Sequence, residues 1–114
     1  MAKNRKKTCW ILQMDWELYD NRDSKIELFS SLRKAQKEMS QWIKEDLNNY
    51  ADRFDVFEYD EISDKEGITT IITNKIPFNI FQKEGDPINT KWAHFYSEYS
   101  NDFITYCITK QEIK

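Results

Sequence analysis

Histidine, the residue that most often carries acid–base catalysis, is scarce in this sequence. His94 is the single histidine, and Glu98 follows it four residues later, within contact distance if the segment is helical. A histidine oriented by a carboxylate can act as a general base, so an enzyme of unfamiliar type centred on His94 is one hypothesis. The interpretation that this spacing favours is an exposed histidine–glutamate pair without a catalytic role.

Two cysteines, Cys9 and Cys107, lie in the first and last predicted strands and lack the short spacing of redox or zinc motifs. We expect two ordinary buried thiols, with a disulfide as the alternative if the terminal strands are neighbours. Two cysteines and one histidine leave a tetrahedral zinc site one ligand short. The two glycines, Gly67 and Gly85, are too few for the loops that cradle phosphates. The sequence therefore predicts no catalytic residues, no metal and no cofactor.

Acidic residues form two groups. Asp15 and Glu17 lie on the polar face of the first predicted strand, with Glu27 expected across from them, and such carboxylates can share acid–base roles or bind a divalent cation. The solvated face of an antiparallel sheet carries the same pattern and is the interpretation we favour for them. The second group is a stripe that can imitate a phosphate backbone and occupy a basic groove on another protein, or form the exposed side of a strand and its loop. Its members are Asp55, Glu58, Asp60, Glu61, Asp64 and Glu66.

Aromatic residues exceed what so small a core can hide, with four Trp, six Tyr and seven Phe in 114 residues. Partly exposed Trp and Tyr are common anchors of protein interfaces. We therefore predict a protein-binding surface built from aromatic residues and the acidic stripe. Its predicted members are Trp16, Tyr19, Asp55, Glu58, Tyr59, Asp60, Glu61, Asp64, Trp92, Tyr96 and Tyr99.

Basic residues support an alternative, in which the N-terminal tail and the first helix bind nucleic-acid phosphates. The net charge of −3 is too mild to favour wholesale nucleic-acid binding. The residues of this alternative are Lys3, Arg5, Lys6, Lys7, Lys34 and Lys37.

The elements that position these residues begin with a hairpin. From Trp10 to Leu18 large apolar residues alternate with other residues, which is typical of a half-buried strand. Residues 20–24 are predicted to form a polar turn. Residues 25–29 then alternate again and predict a second strand, with Ile26 and Leu28 on its apolar side.

A long amphipathic helix of about 20 residues is predicted next. Ser30 or Ser31 can cap its first turn, and apolar residues then recur at spacings of three and four from Leu32 to Phe54. Its apolar stripe must be buried, and the apolar face of the hairpin is the obvious surface for it.

The rest of the chain predicts strands at residues 55–62 and 68–73 and a short edge strand at 78–81. Asp86-Pro87 is a favourable helix start, and the spacing of the following apolar residues favours a shorter second helix over a strand. Those residues are Ile88, Trp92, Phe95, Tyr96 and Tyr99. With a last strand at 103–109, the predicted fold class is α+β, an antiparallel sheet with one long and one shorter helix in the order ββαβββαβ.

The length of 114 residues fits one domain with a real core. We expect residues 1–7 to form a basic flexible tail and residues 8–114 a single α+β domain. No apolar run approaches the roughly 20 residues that span a membrane, and no secretion signal precedes the cysteines. We therefore expect a cytoplasmic protein with no membrane association.

These features favour a non-enzymatic protein that binds another protein and acts by stoichiometric occlusion. Small size and a composition rich in Lys, Asn and Ile favour an accessory inhibitor from a phage or mobile element, for example of a host defence nuclease such as a CRISPR effector. A toxin-immunity protein belongs to the same class. The alternatives are nucleic-acid binding through the basic tail and first helix, and an enzyme centred on His94.

Overall fold

One antiparallel sheet and one helix make up the part of the chain that the computed structural model describes, residues 7–50, 53–63, 67–73 and 90–113. The sheet has six strands in the spatial order β2-β1-β6-β5-β3-β4. The α+β class, with an antiparallel sheet and a long helix, is confirmed. The elements are β1 (Lys7–Leu18), β2 (Asn21–Phe29), α1 (Leu32–Tyr50), β3 (Val56–Ser63), β4 (Gly67–Thr73), β5 (Trp92–Tyr96) and β6 (Phe103–Ile113).

Strand β1 lies between β2 and β6, and its alternation divides the sheet into two faces. Leu12, Met14 and Leu18 are buried on the face toward α1, and Trp10 and Trp16 pack partly against the same core. The period-two prediction for this strand is confirmed. Burying three such side chains is worth roughly 1.5–3 kcal/mol each, which makes β1 a major contributor to the core.

Helix α1 begins where the sequence predicts, because the Ser31 Oγ accepts a hydrogen bond from the Lys34 backbone N–H at 3.2 Å. The helix packs against β1, β2 and β6. Its buried stripe consists of Ala35, Gln36, Met39, Trp42, Ile43 and Leu47. Within the described residues, no helix has the combination of length and apolar character needed to cross a bilayer.

Two polar contacts join α1 to the sheet, one at a buried tyrosine and one at an exposed lysine of the edge strand β2. The Tyr106 hydroxyl, on β6, donates a hydrogen bond to the Asp46 carboxylate on α1. The Lys25 ammonium, on β2, lies 3.9 Å from the centre of the Trp42 ring. Burial raises the pKa of Asp46, while the Tyr106 hydrogen bond and the Lys25 charge act in the opposite direction. Apolar burial thus holds the helix on the sheet, and the two polar contacts fix its register.

The predicted second helix is wrong, because Trp92–Tyr96 forms β5, a strand paired with β6 and β3. Ala93 and Phe95 are buried on the α1 side of the sheet, whereas Trp92 and Tyr96 lie on the other side. Pairing on both edges satisfies the backbone of β5 and outweighs the local helical spacing. The proposed helix start at 86–87 and the edge strand at 78–81 lie outside the described residues.

The predicted orientation of β2 is also wrong. Ile26 and Leu28 point away from α1 and are 61% and 62% exposed, while Glu27 pairs with Leu12 and shares its face. The reason is the turn, which has only two residues, Tyr19 and Asp20, with φ of 54° and 66°. Two residues in the left-handed region are typical of a type I′ hairpin turn. The predicted five-residue turn would have placed Ile26 on the opposite face. Turns with an odd and an even number of residues differ in register by one residue, and such a shift moves every side chain of the strand to the other face of the sheet.

Replacing Asp20 with glycine tests this turn. Glycine adopts positive φ without the steric cost that other residues carry, so Asp20→Gly is expected to raise the free energy of unfolding by about 0.5 kcal/mol. The matched control is Ser24→Gly, within β2, which is expected to lower it by a similar amount. Urea denaturation followed by circular dichroism measures both. A destabilising Asp20→Gly would contradict the turn assignment.

The pH dependence of stability tests the environment of Asp46. Its folded pKa is raised above 3.8, so its contribution to stability is fully present below about pH 3.8 and is lost as pH rises through the raised value. Asp46→Asn removes this titration and keeps an acceptor for Tyr106. We therefore expect the stability of Asp46→Asn relative to wild type to increase between about pH 3 and pH 7. A difference that is independent of pH in urea denaturation would contradict the assignment.

Candidate functional site

The face of the sheet opposite α1 is the candidate functional site, and we call it the open face. It consists of the odd-numbered residues of β1 and β6 and the even-numbered residues of the other four strands. In the described part of the chain, α1 is the one helix, and it packs on the other face. The open face is therefore the larger candidate surface for a partner.

Three rings of β5 and one of β6 form a row across the centre of the open face. The His94 ring is stacked on Trp92 at 5.9 Å and on Tyr96 at 5.1 Å, measured between ring centres. Phe103 lies beside it at 6.1 Å in a tilted arrangement. All four side chains are half-buried, because they cover one another. We call these four residues the aromatic row.

His94 is held in place by polar contacts as well as by stacking. Its Nδ1 lies 2.7 Å from the Thr105 Oγ1 on β6, and Glu58 is its neighbour on β3. Burial lowers the pKa of His94, and the Glu58 charge partly offsets this effect. The helical spacing on which the predicted contact with Glu98 depended is absent, because His94 lies on the strand β5 and Glu98 lies beyond the end of that strand. Glu98 instead donates its backbone N–H to Asp55.

Four carboxylates border the aromatic row. Glu58 accepts a hydrogen bond from the Tyr96 hydroxyl at 2.9 Å, and Asp60 accepts one from Thr70 at 2.7 Å. On β1, Asp15 accepts from the Gln13 amide. The fourth, Glu17, lies 3.6 Å from the Arg22 guanidinium. A carboxylate has about four acceptor positions, so these groups keep capacity for donors on another molecule.

The arrangement suits contact with a protein better than contact with bases. Single-stranded nucleic acids stack their bases on exposed ring faces beside a positively charged groove. Here the faces of the His94 ring are covered by Trp92 and Tyr96. The described border carries the four carboxylates and one guanidinium, that of Arg22, which lies 5.7 Å from the centre of the Phe103 ring. Ring edges, a phenol hydroxyl and carboxylates together match a partner surface that carries lysine or arginine.

The structure separates the predicted aromatic residues. Trp92 and Tyr96 lie together in the aromatic row, and Tyr99 is 88% exposed in the β5–β6 loop. Tyr59 is only 4% exposed and faces the α1 side, so its predicted place on a binding surface is wrong. Trp16 also faces that side and packs partly against the core.

Tyr19, another predicted member, is 59% exposed in the β1–β2 turn. The Arg53 guanidinium lies 4.1 Å from the centre of its ring. Both residues also bind the buried Asp102 carboxylate, which accepts from the Tyr19 backbone N–H at 3.3 Å and from the Arg53 Nε at 3.0 Å. Tyr19 therefore has a structural role in joining the turn to the sheet.

The acidic stripe is divided in the same way. Glu58 and Asp60 lie on the open face, whereas Asp55 accepts hydrogen bonds from the Ser97 hydroxyl and the Glu98 N–H and so stabilises the chain after β5. The side chain of Glu61 and the whole of Asp64 lie outside the described residues.

The basic residues of the nucleic-acid alternative are not brought together among the described residues. Lys34 and Lys37 are exposed on α1, on the other side of the sheet from the aromatic row, and the Lys34 Nζ donates to Ser30. Lys7 is the first residue of β1, and its side chain is not described. Lys3, Arg5 and Lys6 lie outside the described residues.

Several residues of the site were missed by sequence reasoning. His94, Phe103 and Thr105 join Trp92 and Tyr96 on the open face once residues 92–96 are a strand. The signal for this was the high proportion of aromatic residues in the segment, which is typical of a strand.

Cys9 and Cys107 are free, and they are half-buried rather than buried as predicted. The strands β1 and β6 are neighbours, but Cys9 pairs with Gln111 and Cys107 with Gln13. This register separates the two cysteines by about 13 Å along the strands, too far for a disulfide. Within the described ranges, no group of three or more His, Cys, Asp or Glu residues could hold a metal ion.

Comparison of the chain with protein families, curated proteins and solved structures found no match.

Titration of His94 tests the geometry of the aromatic row. We expect a pKa below 6.5 in the folded protein, and a further decrease in Glu58→Gln because Glu58 favours the charged ring. Asp60→Asn, the next open-face position on β3, is the matched control and should change the pKa less. Nuclear magnetic resonance of the imidazole protons measures all three.

The sign of the effect on stability follows from the same shift. A lowered folded pKa means that the His94 contribution is present above about pH 6.5 and is lost as pH falls through the lowered value. A folded pKa at or above 6.5 would contradict the burial of the ring against its neighbours.

Proposed function

We propose that this protein is a non-enzymatic protein-binding module that covers a basic surface of a partner with its open face. One observation carries the proposal, namely the aromatic row of Trp92, His94, Tyr96 and Phe103 bordered by carboxylates. Aromatic side chains at the centre of a polar border are typical of the residues that supply most binding energy in protein interfaces.

The packing of the row supports binding because it limits the entropy cost. His94 is fixed by stacking on both sides and by Thr105, and Tyr96 is fixed by its hydrogen bond to Glu58. Side chains that are already ordered lose less freedom when a partner arrives. The row therefore presents a preorganised surface.

The charges of the open face support a basic partner. Asp15, Glu58 and Asp60 lie around the row, and the Arg22 guanidinium is already beside Glu17. A shallow cleft of about 310 Å³ at the β2 side of the row is lined in part by Asp15, Arg22 and Phe103, so that a carboxylate and a guanidinium both lie beside the Phe103 ring. Acidic groups beside apolar rings can accept lysine or arginine side chains and speed association with a positively charged surface.

The nucleic-acid-binding groove of a nuclease is a surface of this kind. We infer that the protein is a stoichiometric inhibitor acting in the cytoplasm, from a phage or mobile element, whose target is a nuclease of a host defence system such as a CRISPR effector. An immunity protein that masks a nuclease toxin would use the same surface. Occlusion of a groove needs affinity and shape, and it needs no catalytic group on the inhibitor.

The binding test uses the wild-type chain and the double variant Trp92→Ala, Tyr96→Ala. Proteins captured from a host lysate by the wild type are identified and purified, and affinities are measured by calorimetry. We expect the double variant to bind at least about tenfold more weakly, and the wild type to lose affinity as salt increases. The matched control, Lys37→Ala with Gln41→Ala on the exposed side of α1, should bind like wild type.

Four further results decide between the finer proposals. A partner whose enzymatic activity falls to zero at a one-to-one ratio supports inhibition by occlusion, and a partner that keeps its activity contradicts it. Binding that survives loss of both rings would contradict the use of the open face. Binding of DNA or RNA oligonucleotides that disappears when residues 1–7 are deleted would support the nucleic-acid alternative instead, and an activity lost in His94→Gln would support the enzyme alternative.

A further inference from the structure

Among the described residues, β2 is an edge strand of the sheet. It pairs with β1 on one side, and each of its residues except Phe29 is exposed. The type I′ turn closes with a hydrogen-bonded pair between Leu18 and Asn21, and hydrogen-bonded pairs then alternate along the hairpin. The odd-numbered residues of β2 therefore direct their backbone groups toward β1. The even-numbered residues, from Arg22 to Leu28, direct theirs away from the sheet.

An edge of this kind pairs readily with another strand. Exposed edges are usually blunted by charges, and β2 carries Asp23, Lys25 and Glu27 on its α1 side. On the open-face side, however, Ile26 and Leu28 are 61% and 62% exposed. The edge thus combines free backbone groups with an apolar pair, and its charges decide which strand can be added.

The charges are complementary to those of a second copy in one antiparallel register. Centring the pair on Lys25 or on Glu27 places like charges directly opposite each other, which is destabilising. Centring it on Ile26 places each Lys25 opposite a Glu27 of the other copy. That register also lets the outward backbone groups of Ile26 bond to each other across the two-fold axis.

A register centred on Ser24 also pairs opposite charges, Asp23 with Lys25. It places Ile26 opposite Arg22 and Leu28 opposite Asp20, so the exposed apolar side chains face charged ones. Only the register centred on Ile26 pairs Lys25 with Glu27 and also places an apolar side chain opposite its counterpart, Ile26 against Ile26, with Leu28 opposite Ser24. Like most homodimer contacts, it is self-complementary about a two-fold axis.

We propose that two copies of this chain associate through β2, antiparallel, with Ile26 opposite Ile26 and Lys25 opposite Glu27. The six-stranded sheets then join into one continuous sheet, and the two open faces lie side by side. This inference depends on the edge strand alone and is independent of the function proposed for the aromatic row.

Cysteine crosslinking tests the register directly, in a background with Cys9→Ser and Cys107→Ser. Hydrogen-bonded antiparallel pairs have Cα atoms about 5.5 Å apart, within the range of a disulfide. Under oxidation Ile26→Cys alone is expected to form a covalent dimer. Ser24→Cys and Leu28→Cys should each stay monomeric alone and should crosslink when they are mixed.

Sedimentation of the full chain tests the association without cysteines. We expect a concentration-dependent dimer for wild type and a monomer for Glu27→Lys, which places two lysines opposite each other. Glu112→Lys, an exposed position on β6 with the same charge change, is the matched control and should dimerise like wild type. Circular dichroism confirms that each variant is folded.

Three results would overturn the proposal or its register. A wild-type chain that stays monomeric at concentrations up to about 100 μM would overturn the proposal. Any association would then be weaker than that of most specific dimers. Crosslinking of Ser24→Cys or Leu28→Cys alone would overturn the register. Loss of the dimer in Trp92→Ala, Tyr96→Ala with retention in Glu27→Lys would show that copies associate through the aromatic row, and this result would overturn the use of β2.

Discussion

A single helix can cover only one face of a sheet, and this constraint underlies the rest of the structure. At 1.5 Å per residue the 19 residues of α1 span about 28 Å, and the helix makes its main contacts with the sheet at β1, β2 and β6. Strand alternation nevertheless sends half of the side chains to the other face. In the described part of the chain, the residues of that face must therefore cover one another or be covered by a partner.

The aromatic row meets this constraint in part. Trp92, His94 and Tyr96 stand on alternate positions of one short strand, so their rings stack at 5.1 to 5.9 Å and each removes apolar area from water. Carboxylates around the row take up the polar ends, as Glu58 does for the Tyr96 hydroxyl. The result is a row of half-buried rings on the face that α1 does not cover. This row is the basis of the binding function that we propose for the open face.

The sequence correctly predicts the elements in which the apolar residues follow a single, unambiguous spacing. Strict alternation in β1 and the three–four spacing in α1 each determine a face, and burial of Leu12, Met39 and Leu47 agrees with both. In β5 the residues Trp92 and Tyr96 are four apart, and such residues share a face in a helix and in a strand alike. The pair was therefore predicted together although the element was wrong. His94 lies two residues from each, where the two periods disagree, and only pairing with β3 and β6 decides its side.

The orientation of β2 depends on a property that composition does not reveal, namely the number of residues in the turn. A two-residue turn at Tyr19 and Asp20 fixes two things at once. It sends Ile26 and Leu28 to the open face, and it makes the backbone groups of the same residues point outward from the sheet edge. A longer turn with the other parity would have buried both side chains under α1 and left charged residues on the outward positions. The exposed apolar pair and the free edge are thus one consequence of backbone geometry, which is why the surface proposed for a partner and the surface proposed for a second copy lie next to each other.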